Sequence, residues 1–152
     1  MKKTILVAIC AIALIACEEK EPNSGCNIPP TEYVGLVTVG SIDNLFELTD
    51  ILVSVKENCN KTVDIEMFNV KFAPQMPVTI NMVISGVAAV TTKESFSLSG
   101  NNITPTYKDQ SYPQYTITEL EGSKTPETLS LSMICGSLPV TFSGNAVAAD
   151  SL

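Results

Sequence analysis

The chain has 152 residues, with 9 lysines against 16 acidic residues, no arginine, no histidine and no tryptophan, and a formal charge of −7. That charge argues against nucleic acid and other polyanions as partners. The missing histidine excludes Ser-His-Asp and Cys-His catalysis and every histidine-ligated metal site; the missing arginine excludes bidentate clamps on carboxylate or phosphate.

At the amino terminus Lys2 and Lys3 precede an uncharged apolar run over residues 5–16. A membrane-spanning helix needs roughly 20 such residues, so the run is too short to span and fits a cleavable signal segment. Its exit, Leu14-Ile15-Ala16-Cys17, resembles the bacterial lipobox, in which a small residue precedes an acylated cysteine. Cys10 is a poor competitor because bulky Ile9 precedes it. The motif implies that Cys17 becomes the lipidated first residue. Proteins with this signal usually carry several chains, and two or more anchor stably. The acidic Glu18-Glu19-Lys20-Glu21 resembles a surface-export signal, so the expected location is the outer membrane, with surface exposure as a hypothesis. Residues 17–31 contain Pro22, Pro29 and Pro30 with Asn23, Ser24 and Gly25 between, a composition that buries little and reads as a tether. The expected division is a signal peptide over 1–16, a lipidated tether over 17–31, a β-barrel domain over 32–145 and a tail over 146–152.

From residue 32 the pattern alternates with period two, the mark of half-buried strands. Segments 33–39, 51–56, 62–68, 78–85, 96–98, 103–107, 115–120, 128–135 and 138–143 read as eight or nine strands. Val63, Ile65 and Met67 share one face; so do Val78, Ile80, Met82 and Ile84, and Leu129, Leu131, Met133 and Cys135. Turn formers separate them, at 40–44, 57–61, 99–102 and 122–126. No helical period appears beyond the signal segment. The connections are too short for parallel crossovers. The expected fold is all-β: an antiparallel meander closing into a barrel, with a two-sheet sandwich as the alternative. Strands of five to eight residues are short for a bilayer, which needs about 9–11, so the barrel reads as a water-facing domain on a lipid tether.

The motifs Tyr33-Val34-Gly35-Leu36-Val37-Thr38-Val39, Gln75-Met76-Pro77-Val78 and Leu138-Pro139-Val140-Thr141-Phe142-Ser143-Gly144, with the strand pair 53–56 and 63–66, resemble the calycin-like domain family of Gram-negative bacterial lipoproteins. The resemblance covers residues 32–145 and implies a lipocalin-like barrel. The chain departs from true lipocalins, whose first strand carries Gly-x-Trp packed under an arginine of the last strand; neither residue type occurs here.

Three cysteines remain in the exported domain, Cys26, Cys59 and Cys135, in a compartment that oxidises thiols. If the strands run up and down, the start of the first strand, the hairpin near Cys59 and the end of the strand holding Cys135 are expected at one end of the barrel, where all three can meet. Cys135 lies on an apolar face, which leaves Cys26–Cys59 as the preferred bridge. Two carboxylate pairs, Asp64/Glu66 and Glu119/Glu121, have the spacing of glycosidase acids but read as solvated surface. Tyr107, Tyr112 and Tyr115 form a possible ligand or partner rim, or a cap on the open end of the barrel. Phe68, Phe72 and Met76 read as core plugs. The sequence offers no catalytic, cofactor-binding or metal-binding constellation. The expected function is a non-enzymatic, lipid-anchored envelope protein binding a small hydrophobic or carbohydrate ligand in or at the mouth of the barrel. The alternative is an interaction module beside an outer-membrane protein; a carboxylate or Ser-Lys hydrolase has little support.

Overall fold

The computed structural model describes residues 28–148. The signal segment, Cys17, Cys26 and residues 149–152 lie outside the described residues. The strands are β1 (Thr31–Val39), β2 (Phe46–Glu57), β3 (Thr62–Val70), β4 (Ile80–Thr92), β5 (Ser95–Gly100), β6 (Thr106–Tyr107), β7 (Gln110–Ser111), β8 (Ile117–Lys124), β9 (Thr128–Cys135) and β10 (Leu138–Ala146). One 3-10 turn, Pro113–Tyr115, is the only helical element among the described residues.

Sheet order runs β3-β2-β1-β10-β9-β8-β5-β4, and β4 pairs back onto β3. Eight antiparallel strands thus form a closed up-and-down barrel, consistent with a calycin-like fold; a two-sheet sandwich does not form. The seam that joins the two chain ends is β1 on β10, with Tyr33 opposite Ala146 and Gly35 opposite Gly144. The small β6–β7 hairpin is attached at Val83–Thr106, beside β4.

Alternation aims one face of each strand inward. Tyr33, Val53, Ile65, Ile84, Leu98, Ile117, Leu131 and Phe142 are among the fully buried residues of a single apolar cluster drawn from all eight barrel strands. An eight-stranded barrel is just wide enough for such side chains to fill it. The outer wall is polar: Ser97, Ser123, Ser130 and Ser143 are exposed and lie side by side across β5, β8, β9 and β10. Apolar inside and polar outside is the reverse of a bilayer-spanning barrel.

Several expected boundaries move, two of them at bulges. Bulges place two successive residues outward and break the period of two. In β2, Thr49 and Asp50 both face out, with Asp50 at φ 56°, so the strand begins at Phe46 instead of Ile51. In β4, Ser85 and Gly86 both face out and the strand runs on to Thr92. Gly86 takes φ 75°, and its N–H donates to Asp64 Oδ1 at 2.9 Å. Val78 lies ahead of β4 and is exposed, outside the inward set expected for it. Residues 122–124, read as turn, belong to β8; Thr125, Pro126 and Glu127 make the turn instead.

Candidate functional site

The strand count decides which side chains meet. Segment 103–107 does not form a barrel strand. Ile103 makes a single bridge to Ile117, Pro105 interrupts, and Thr106–Tyr107 enters the small hairpin. Removing one strand from an alternating series reverses the direction of every later one. Cys135 therefore ends β9 at the opposite end from Cys59, so the expectation that all three cysteines lie at one end fails.

The amino-terminal end carries the start of β1, the β2–β3 hairpin with Cys59, the β4–β5 hairpin and the β8–β9 turn. Lys124 points inward here and is the one buried charged residue among those described. Its ammonium donates to Glu57 Oε1 at 2.7 Å, and Nζ lies 4.8 Å from the centre of the Phe96 ring. An ammonium held this way needs both partners, since an unpaired charge in a barrel mouth is costly. Beside it Tyr33 is fully buried, and its hydroxyl donates to the Thr125 carbonyl at 2.7 Å. Burial pushes the Tyr33 phenol above its usual range, and the Glu57 charge adds to the rise. Sequence reading missed Lys124. Its signal was an inward lysine in register with Leu120 once the bulge at Glu119 is allowed for.

The far end holds the loop 40–45, the bend 71–79, the segment 101–116 and the β9–β10 turn. The three tyrosines do come together there. Tyr115 lies 4.7 Å from Phe72 by ring centroids, Tyr112 lies 6.4 Å from Tyr115 nearly parallel, and Tyr107 meets Tyr112 edge-on at 5.9 Å. Tyr107 and Tyr115 pack against the core. Lys108 Nζ sits 5.2 Å over the Tyr107 ring. The rings take one another as neighbours, which makes the cluster a plug over the barrel mouth. The plug is tied down by Phe72 and Met76: the Phe72 N–H donates to Met76 Sδ at 3.1 Å. Phe68 faces the outer wall, half-buried, and is not part of the plug. Around the plug the loops expose Ile42, Leu45 and Val78, at 95, 49 and 60 %. A cleft of about 400 Å³ at this end is lined by Leu45, Phe46, Phe72 and Leu138 among others.

Neither carboxylate pair is buried. Glu119 and Glu121 are exposed, and Asp64 is occupied by the Gly86 N–H. The described residues contain no group of three or more potential acidic, cysteine or histidine metal ligands.

Cys135 is buried, and its thiol donates to the Tyr115 carbonyl at 3.6 Å. Desolvation pushes its pKa from about 9 up to about 12. At pH 8 the thiolate fraction is then lower by a factor on the order of 10³. Iodoacetamide at pH 8 should leave Cys135 unmodified in the native protein for hours and label it within minutes in urea. Rapid native labelling would mean that the far end opens to solvent.

Comparison of the chain with protein-family models gives no match, and comparison with curated proteins and with solved structures gives none either.

Proposed function

We propose that this is a non-enzymatic, lipid-anchored protein of the outer membrane, of the calycin-like lipoprotein kind, whose working surface is the far end of the barrel. One observation carries the reading: the barrel interior is filled by apolar side chains of all eight strands, while three of the six large apolar residues exposed among those described, Ile42, Leu45 and Val78, lie in the loops of the end opposite the start of β1. A ligand inside the barrel would have to displace the core. A partner at the far rim would cover Ile42, Leu45 and Val78, and desolvating such side chains is what drives most protein association. With the lipid on Cys17, the tether joins the barrel at its amino-terminal end and presents the far rim away from the lipid. An envelope protein with an apolar contact surface is the partner that fits.

A photo-crosslinking amino acid at position 42 of the full lipoprotein, in living cells, tests this. The expected result is a discrete heavier adduct from position 42 and none from position 130 on the serine-rich outer wall. Adducts from neither position would sink the partner reading.

The cleft lined by Leu45, Phe46, Phe72 and Leu138 favours a second reading, in which a small hydrophobic ligand binds at the mouth. Native mass spectrometry of the gently extracted domain tests it through a dissociable adduct. A carbohydrate is the weaker ligand class, because Tyr112 and Tyr115 stack on each other, which leaves Tyr107 alone of the three beside a groove.

A further inference from the structure

We propose that a polar groove on the outer flank of the barrel, between the β3–β4 wall and the β6–β7 hairpin, binds a neutral saccharide. The groove encloses about 630 Å³, within the roughly 300–1,000 Å³ of small-molecule sites. It shares no lining residue with the cleft at the mouth, and the inference does not rest on the partner or ligand assigned to the rim.

Strand register builds its floor. Val83 of β4 is opposite Glu66 of β3 on one side and Thr106 of β6 on the other. Paired residues of neighbouring strands share a face, so these three stand abreast on the outer side, across two strand spacings of about 4.8 Å each. Asn81 and Ser85 lie two residues to either side of Val83 on the same outward face, each about 7 Å away along β4. The β6–β7 hairpin forms the second wall. Its turn residues Lys108 and Asp109 are both left-handed, at φ 49° and 60°, the pattern of a tight two-residue hairpin turn. That turn sets the Tyr107 ring and the Lys108 chain beside the groove.

The lining carries polar groups that the fold leaves unused. Asn81 Oδ1 accepts from the Asn69 N–H at 3.1 Å, and Asn69 Oδ1 accepts from the Thr79 hydroxyl at 3.3 Å. Both amide oxygens are thereby occupied, and each side chain has its NH2 group left, a pure donor. Glu66 is half-buried, yet it makes no ion pair or side-chain hydrogen bond with any described residue; nor do the hydroxyls of Ser85 and Tyr107. Oriented donors and an unpaired carboxylate acceptor therefore face one groove.

These groups select the ligand by elimination. An anion needs donors and positive charge, but two carboxylates, Glu66 and Asp109, face one ammonium, Lys108. A metal ion needs several grouped ligands, and no group of three or more acidic, cysteine or histidine residues exists among the described residues. A purely apolar ligand would take the polar groups out of water without replacing their hydrogen bonds. Sugar hydroxyls both donate and accept, so they satisfy amide donors and a carboxylate together. Tyr107 adds an aromatic face for the C–H side of a sugar ring. Lys108 Nζ lies 5.2 Å from the centre of that ring, and its flexible, exposed chain can yield the face and donate to a hydroxyl instead. The mouth differs: its tyrosines Tyr112 and Tyr115 stack on each other, and its cleft is mostly apolar, so a sugar suits the flank and not the mouth.

The test uses the full lipoprotein in a detergent without a sugar headgroup. It is titrated by calorimetry with maltotriose, cellotriose, xylotriose, mannotriose and chitotriose, and with the acidic trigalacturonate, each up to about 10 mM. At least one neutral trisaccharide should bind saturably. Glu66→Ala should weaken that binding by about tenfold or more, since a hydrogen bond to a charged group is lost, and Tyr107→Ala should do likewise. Tyr107 also packs against the core, whereas Glu66 has no protein partner to lose, so the Glu66 variant reports the groove alone. Ser130→Ala, on β9 across the ring, should leave the affinity unchanged. Saturable binding by no neutral trisaccharide, binding of trigalacturonate alone, or an affinity that Glu66→Ala leaves intact overturns the inference. Crosslinking from position 42 is read separately, so failure of the groove and failure of the rim reading are distinguishable.

Discussion

Gly35→Ala should lower the stability of the barrel by about 3 kcal/mol or more. Gly35 sits on the β1–β10 seam, directly opposite Gly144. A β-carbon there would overlap the Ser143 carbonyl oxygen and the Gly144 Cα. Both are backbone atoms, so no rotamer change makes room. The two strands must part instead, and parting them opens the one contact that joins the chain's beginning to its end. An opened barrel also has two unpaired strand edges, which invite association. Thermal unfolding followed by far-UV circular dichroism should show a Tm loss of about 10 °C. Ser143→Ala, on the exposed outer side of the same seam, should move stability by no more than about 0.5 kcal/mol. An unchanged Tm for Gly35→Ala would show that the seam is looser than its backbone spacing requires.

Glu57→Ala should cost about 2–3 kcal/mol, whereas Lys124→Met should cost less than about 1 kcal/mol. The asymmetry follows from burial. The Lys124 side chain is 6 % exposed and that of Glu57 is 23 %. Without Glu57 the ammonium is left in the barrel mouth with only the Phe96 ring beside it. Without Lys124 the carboxylate still reaches water, and methionine fills the lysine's volume with an apolar chain. Urea unfolding of the two variants and the double variant gives the coupling between them. Equal losses from the two single variants would mean that water reaches the ammonium, and that the amino-terminal end is more open than its packing implies.

These residues mark where sequence reading stopped. The all-β class was legible because period-two alternation survives through β9 and β10 and over residues 62–67 of β3, ahead of the bulge at Asn69. Val63, Ile65, Met67, Leu129, Leu131, Met133, Val140 and Phe142 all face inward as their spacing required. Bulged strands were only half legible. Asp50 and Gly86 at positive φ shift the inward set by one position, and a reading by strict alternation ends the strand there. The aromatic cluster was legible as a composition, three tyrosines within nine residues, but its geometry was not.

By itself the sequence determined the strand-rich class, the inward apolar faces of the regular strands and the loop placement of the tyrosines, since these follow from side-chain chemistry and the two-residue repeat of a strand. Only the tertiary structure decided the number of barrel strands, and with it which loops share an end. A single isolated bridge at Ile103 in place of a strand moves Cys135 to the far end, and pairing across the barrel brings Glu57 to Lys124, 67 residues away. The physical reason is that closure is non-local: local preference sets each strand's faces, while the count, register and bulges that place one strand's end beside another's are set by packing the whole ring at once.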